Sequence, residues 1–506
     1  MTTLFPRLPF VSDETPLSWA ARLAAFHTGQ RVVPFLRDQK IKLADVNHGR
    51  ACAIDRLCAI TGDDPGTVWH NTAISDGRLN FTLRGEPLPA TMLLREETRF
   101  CPLCLVEDDA LHANPLVGRR GRLAWSLRIV TTCPVHGLTL VPRKRDVWDD
   151  MAHELSVLVT ETTDELRTLA ARLSPRRPSD LQSYILGRLE GLKGPVWLDG
   201  LSLAQVVKTT EMLGVTMLHG PDVKLGQMTR EHWEDAAREG WKWVSGGEAG
   251  VRDALSQLQQ DAFDNGRGGL NYGSAFGKFY HWLAHRGARS DHETIRTVLR
   301  DYIIDNMDVA VGQTLLGKRI DRRQVYSVRS LSRIAHVQEV TLRNLLVASG
   351  HVSPSHADKP CTILVIGEEA ARDLVAALED TLGTAEAAAH LSANRQIVDD
   401  PLEAGELTPL HGGRGRKGRL SCRILRGHAD AVLDRLRDVA PVNPNPPNGW
   451  TTLTSATKQA RVTMRALLGL ILTGQLTRMA MLEESGGFTA LRLDPQEIGS
   501  LHRSTA

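Results

Sequence analysis

The C-terminal third of the chain repeats one pattern of apolar and polar positions three times: a helical stretch, a turn, an extended segment with a β-rich strand, then a second amphipathic helix. The first copy reads SLSRIAHVQEVTLRNLLVASGHV, the second TAEAAAHLSANRQIVDDPLEAGELTPL and the third TSATKQARVTMRALLGLILTGQL, with Gly350, Gly405 and Gly474 at equivalent turns. In the first, Leu331, Ile334 and Ala335, then Leu342, Leu345 and Leu346, face inward on either side of a break near His336 to Glu339, as in a helix-turn-helix. The second places Ala388, Leu391, Ile397 and Leu402 similarly. CTILVIGEEAARDLVAAL, SCRILRGHADAVLDRL and FTALRLDPQEIGSL supply the strand and closing helix of each copy, each with an acidic residue near the helix start. Three winged helix-turn-helix modules are therefore expected, over 321–380, 381–440 and 450–506. The linker PVNPNPPNG at 441–449 should be extended and should separate the third from the other two. Cys361 and Cys422 fall at comparable strand positions, near where the third copy has Phe488, and read as packing residues.

Upstream the patterns are less regular. RACAIDRLCAI has helical spacing and places Cys52 and Cys58 in a core, whereas LAWSLRIVTTC looks like a strand. Residues 151–320 read as a helical middle region, broken at SPRRPSD and GRGGLNYG. The fold class expected is mainly α with small β wings: an N-terminal domain over 1–150, the helical middle, and the tandem modules. No apolar run approaches the roughly 18 residues of a membrane span, and MTTLFPRLPF lacks the regions of a signal peptide. A cytoplasmic protein without a membrane partner is expected.

Composition supports a soluble globular chain, with 42% hydrophobic and 24% charged residues in 506. A formal net charge of +2 gives almost no global field, so attraction to nucleic acid must come from local patches. Arg343 and Asn344 lie on the second helix of the first copy, where a base-reading helix would carry them. The run HGGRGRKGRLSCRILR brings Arg414, Arg416, Lys417, Arg419 and Arg423 into a glycine-rich wing, read either as a solubilising loop or as a contact to double-stranded DNA; the helix-turn-helix setting favours DNA. Glu386, Asp399, Asp400, Glu403 and Glu406 make the second copy's own helix a poor phosphate binder.

Seven cysteines are too few for a disulfide framework in a chain of this length, so their clustering points to metal. RFCPLC supplies Cys101 and Cys104, and TTCPVHG supplies Cys133 and His136. Two ligand pairs with two-residue gaps fit a tetrahedral Zn2+, and four protein ligands leave no position for water, which marks a structural ion. Such a site stabilises its domain by about 10–16 kcal/mol. Between the pairs, Arg119, Arg120 and Arg122 form a basic loop, read either as a solvated face or as a phosphate contact. No HExxH, Walker A or GxSxG motif accompanies these residues, so no catalytic residue is expected.

LPFVSDETPLSWAARLA, with Glu14, Ser18 and Trp19, is followed in order by RFCPLC, Trp125 and CPVHGLTLV. This ordered set resembles the TniQ family of transposition proteins, which includes target-selecting TnsD-like proteins. The resemblance covers residues 1 to about 150, with a fainter match at FGKFYHWLAHRG. It implies that Cys101, Cys104, Cys133 and His136 bind zinc, and that the chain selects target DNA and recruits a AAA+ ATPase (TnsC-like) and a transposase. An RNA-guided complex and a second copy of the chain are further partners compatible with it. The alternative class is a stand-alone zinc-containing helix-turn-helix transcription regulator; the remaining cysteines do not build a second zinc site.

Overall fold

The computed structural model describes residues 3–144, 153–266, 272–285, 292–399, 407–414 and 420–505, apart from 78, 96, 395–396, 408 and 484–485. It is mainly helical with small antiparallel sheets. The chain divides into two compact units, one of residues 1–261 and 273–299, the other of 262–272 and 300–506.

The first unit begins with the helices Pro16–Thr28, Val32–Asp38, Leu43–Asn47, Ala51–Thr61 and Pro65–His70. Proline opens the first and last of these, and the side chains of Thr15 and Asp64 cap them by accepting from the backbone amides of Ser18 and Thr67. Trp19, Leu23, Phe35, Ile54 and Leu57 form their shared core. Cys58 joins that core, but Cys52 is exposed, contrary to the sequence reading; it lies on the outer face of Ala51–Thr61, with its sulfur 3.9 Å from Asp45. A three-stranded meander, Ile74–Ser75, Asn80–Leu83 and Glu86–Pro89, leads to the strand Glu97–Phe100, which pairs antiparallel with Val141–Lys144.

Further along this unit, capping boxes start Thr163–Ala171, Leu203–His219 and Arg230–Val244, with Thr162, Ser202 and Thr229 as caps. Leu203–His219 and Arg230–Val244 pack backbone to backbone because each carries glycine at the crossing. A Cβ on Gly214 would stand 1.7 Å from the Ala236 carbonyl oxygen, and one on Gly240 would stand 2.0 Å from that of Thr210.

In the second unit the three C-terminal segments share an opening helix, the turn after it and one strand pairing. Two short helices pair in the first copy as Val328–Ile334 with Glu339–Ala348, and in the third as Leu453–Ala460 with Met464–Leu472; Thr384–His390 opens the second. Each opening helix ends at a non-glycine residue in the left-handed region: His336 (φ 51°), Ser392 (φ 45°) and Arg461 (φ 59°). The next residue then donates its amide to the carbonyl five positions back, as Val337 to Ser332, Ala393 to Ala388 and Val462 to Thr457. Residues preceding the opening helix pair with the strand that precedes the closing helix: Ser327 with Val365, Gly383 with Arg423, and Thr451 with Leu493. Gly350 and Gly474 take positive φ after the second helix, as their equivalence requires; Gly405 and Leu402 lie outside the described residues. Ile334, expected inside, is 46% exposed, because the helix ends there and its last turn faces outward.

Two further expectations change here. Cys361 sits in a turn against the first copy's core and not in a strand, seven residues before the Glu368–Glu379 helix, as Phe488 is before Pro495–Thr505. Cys422 lies in the strand Leu420–Leu425, only four residues before Arg426–Val439, so the two cysteines are not equivalent. The linker at 441–449 does not release the third copy. The amide of Met481 donates to the Pro441 carbonyl (2.9 Å), and that of Asn443 to the Met481 carbonyl (2.8 Å). Leu382, Ile424 and Leu436 share one core with Leu467, Phe488 and Leu491, so the second and third copies are a single packed body.

Candidate metal centre

Phe100, paired with Val141, delivers Cys101 to the N-cap of the helix Pro102–Leu111, and Cys104 follows in that helix's first turn. Both thiols thus stand at the N-terminus of this helix. The second pair sits in a tight turn. The Gly137 amide donates to the Cys133 carbonyl (3.0 Å), the Cys133 amide to the Leu138 carbonyl (2.7 Å), and the His136 amide to the Cys133 sulfur (3.4 Å). Gly137 takes φ 61°, a conformation that glycine adopts without strain.

These turns bring Cys101 Sγ, Cys104 Sγ, Cys133 Sγ and His136 Nδ1 together, all within 4.8 Å of one another. Cys104 and Cys133 sulfurs are 3.6 Å apart, and His136 Nδ1 lies 3.3 Å from Cys104, 3.6 Å from Cys101 and 3.7 Å from Cys133. Tetrahedral zinc with bonds of about 2.3 Å to sulfur places its ligands about 3.7 Å apart, so the donor set fits. The three cysteines are buried. Nε2 of His136 faces Glu107 Oε1 at 3.0 Å, a carboxylate placed to orient the ring with Nδ1 turned toward the three sulfurs. Glu107 was not singled out from the sequence, although it lies three residues after Cys104 on the same helix face.

The basic loop between the ligand pairs folds inward. Arg119 makes a bidentate pair with Asp109, both contacts 2.8 Å, and donates to the Val159 and Glu161 carbonyls. Arg120 and Arg122 both converge on the fully buried carboxylate of Asp108. The loop is therefore neither a solvated face nor a phosphate contact; acidic residues on the helix Pro102–Leu111 neutralise it. Burial works against ionising Asp109, but hydrogen bonds from Arg119 and Thr163 outweigh it and hold the carboxyl below its ordinary pKa. The expected strand at 123–133 is instead a 3-10 turn, Leu123–Ser126, with Trp125 buried and Arg122 over its ring at 4.9 Å.

The N-terminal motif completes this lobe. Glu14 is fully buried against Arg22 (2.6 Å), its backbone bridges to Arg122, and the Ser18 hydroxyl accepts from the Gly121 amide at 2.8 Å. Burial raises the Glu14 carboxyl above its usual pKa even beside that arginine. Trp19 Nε1 donates to the Leu8 carbonyl at 3.0 Å. A cavity of about 780 Å3 opens between the two segments, with Leu17, Phe81, Leu93, Leu94 and Trp125 among its walls.

Of the other residues singled out, Asn344 is exposed and Arg343 half-buried, with its Nε lacking a hydrogen-bond partner among the described residues. Arg423 is committed to its own sheet, donating to Thr381 Oγ1 (2.8 Å) and to the carbonyls of Thr381 and Leu378. Arg414 ends the strand Pro409–Arg414 opposite Leu420, but its side chain lies outside the described residues, as do Arg416, Lys417 and Arg419 altogether. No helix among the described residues is long and apolar enough to cross a membrane.

Four inward-facing Cys and His side chains, able to hold one metal ion and braced by a buried Asp–Arg network, define a helical domain with a candidate metal site. Residues 5–140, which contain the four ligand residues and the Glu14–Trp19 motif, match the family model of TniQ, a domain of transposition proteins. No curated protein matches the chain.

Proposed function

We propose that this protein is a non-enzymatic transposition accessory factor that selects target DNA and recruits a AAA+ ATPase regulator (TnsC-like) and a transposase. The observation that carries this reading is the TniQ match over 5–140, which holds the metal centre and the cavity beside Trp125, a concave apolar surface suited to a protein partner. The ion is read as structural zinc, since four protein ligands fill its tetrahedron. The C-terminal copies act as winged helix-turn-helix modules on double-stranded DNA, with Arg343 and Asn344 on the first copy's second helix and with Arg414, Arg416, Lys417 and Arg419 contributed by the basic run between the paired strands of the second copy. Arg423 supports the wing from inside its sheet. The test is a pull-down of the purified chain with the candidate ATPase, alongside a duplex mobility shift with and without residues 320–506. Recruitment through the metal domain and a salt-sensitive shift dependent on 320–506 are expected. A shift unchanged by the deletion would sink the DNA assignment.

A further inference from the structure

The turn shared by the first and third copies sets their surfaces in register. Counting from the left-handed residue in steps of four, every position is exposed: His336, Val340, Asn344 and Ala348 in the first copy, Arg461, Arg465, Gly469 and Thr473 in the third. Four-residue steps stay on one face of a helix, so each set is a continuous stripe. Neither stripe contains an acidic residue.

Their chemistry differs. In the first copy Val340 is 56% exposed, and Asn344 lies one turn beyond it. A carboxamide presents donor and acceptor together, matching adenine N6 and N7 in the major groove, while valine methyls fit the thymine C5-methyl group. In the third copy Arg461 and Arg465 have neither an ion pair nor a hydrogen-bond partner among the described residues, whereas nearby Arg478 is paired with Asp494 at 2.9 Å. One turn on, Gly469 has nothing within 4 Å of where a Cβ would stand. A flat stripe with two free guanidinium groups suits a phosphate backbone, which offers charge but no base code. The second copy's turn is already covered, because the Leu391 and Ser392 carbonyls accept from the amides of Phe488 (3.1 Å) and Thr489 (2.9 Å) in the third copy.

We propose that the two stripes divide the work on DNA: Val340 and Asn344 read an A·T base pair, and Arg461 with Arg465 grips phosphates without regard to sequence. This deepens, and rests on, the reading of the copies as DNA-binding modules. The full-length protein, Asn344→Ala and the double variant Arg461→Ala/Arg465→Ala are compared on a random-sequence duplex across a salt series, and on a randomised duplex library sequenced after selection. Wild type should enrich a motif containing an A·T pair. Asn344→Ala should lose about tenfold discrimination at one position while holding random DNA as before. The double variant should keep the motif, bind every duplex more weakly, and show a salt slope shallower by about two. Arg461→Gly, which suits the left-handed turn, guards against misfolding and should make the slope shallower by about one. An unchanged slope in the double variant, an unchanged motif in Asn344→Ala, or loss of ATPase capture in place of DNA binding overturns the proposal. A wild-type protein that binds no duplex overturns the underlying DNA reading instead.

Discussion

The side chain of Gln182 donates to the Thr132 carbonyl at 2.7 Å and accepts from the Thr132 amide at 3.2 Å, with the Thr131 amide sharing the same oxygen. Gln182 is fully buried on the helix Asp180–Leu189, so a residue 50 positions downstream holds the backbone immediately before Cys133. Gln182→Ala leaves those peptide groups without partners and should cost about 2–3 kcal/mol. Thermal melting should show the loss, and competition with a chromogenic chelator should show faster metal release although all four ligands remain.

Metal content should be one zinc per chain, and cobalt substitution should give the visible spectrum of a closed tetrahedral site with three sulfurs. Cys133→Ser should abolish it and unfold the N-terminal lobe. Glu107→Ala removes only the carboxylate behind His136, so the site should still form with about tenfold lower affinity. Equal affinity would show that the His136–Glu107 contact does not orient the ring.

Asp108→Ala would remove the buried carboxylate and leave Arg120 and Arg122 only the half-exposed Asp13 as an acidic partner, and should destabilise the lobe by about 2–3 kcal/mol, measured by denaturant unfolding of the metal-loaded protein. Asp108→Asn should recover part of this through its carbonyl oxygen.

Asp109 provides a pH signature. Its folded pKa is depressed, so the stability it contributes is present above the unfolded value and is lost as pH falls through the folded one. Asp109→Asn should therefore lower stability at neutral pH and narrow the gap to wild type as the solution becomes acid below about pH 4. A constant gap from pH 7 to pH 3 would contradict it.

Gly240→Ala places a methyl carbon into the Thr210 carbonyl and should cost about 3 kcal/mol by forcing the two helices apart. Circular dichroism melting checks this, with Gly469→Ala as the control in open space, where helix propensity favours alanine.

What could be read from the chain was what is local along it. Cys101 with Cys104 and Cys133 with His136 are turn-length pairs, and the paired helices of the first and third C-terminal copies follow local apolar spacing, so both were visible as spacing. Partners that come from elsewhere were not. The three arginines at 119–122 looked free because Asp108 and Asp109 lie on the preceding helix, and only folding shows that this helix turns its acids toward the loop. Trp125 looked like part of a strand, yet burying its ring under Arg122 requires a compact turn. PVNPNPPNG looked like a spacer because its composition favours extension; an extended segment can equally hydrogen-bond alongside Met481.

That pinned segment determines where the chain can be cut. A fragment ending before Pro441 would leave Ile424, Leu433 and Leu436 facing water without Leu467 and Phe488 against them, and would be prone to aggregate. Dissection of this protein therefore has to keep residues 381–506 whole, and a loss of binding after removal of the last copy alone would report a ruptured core before it reported a missing contact.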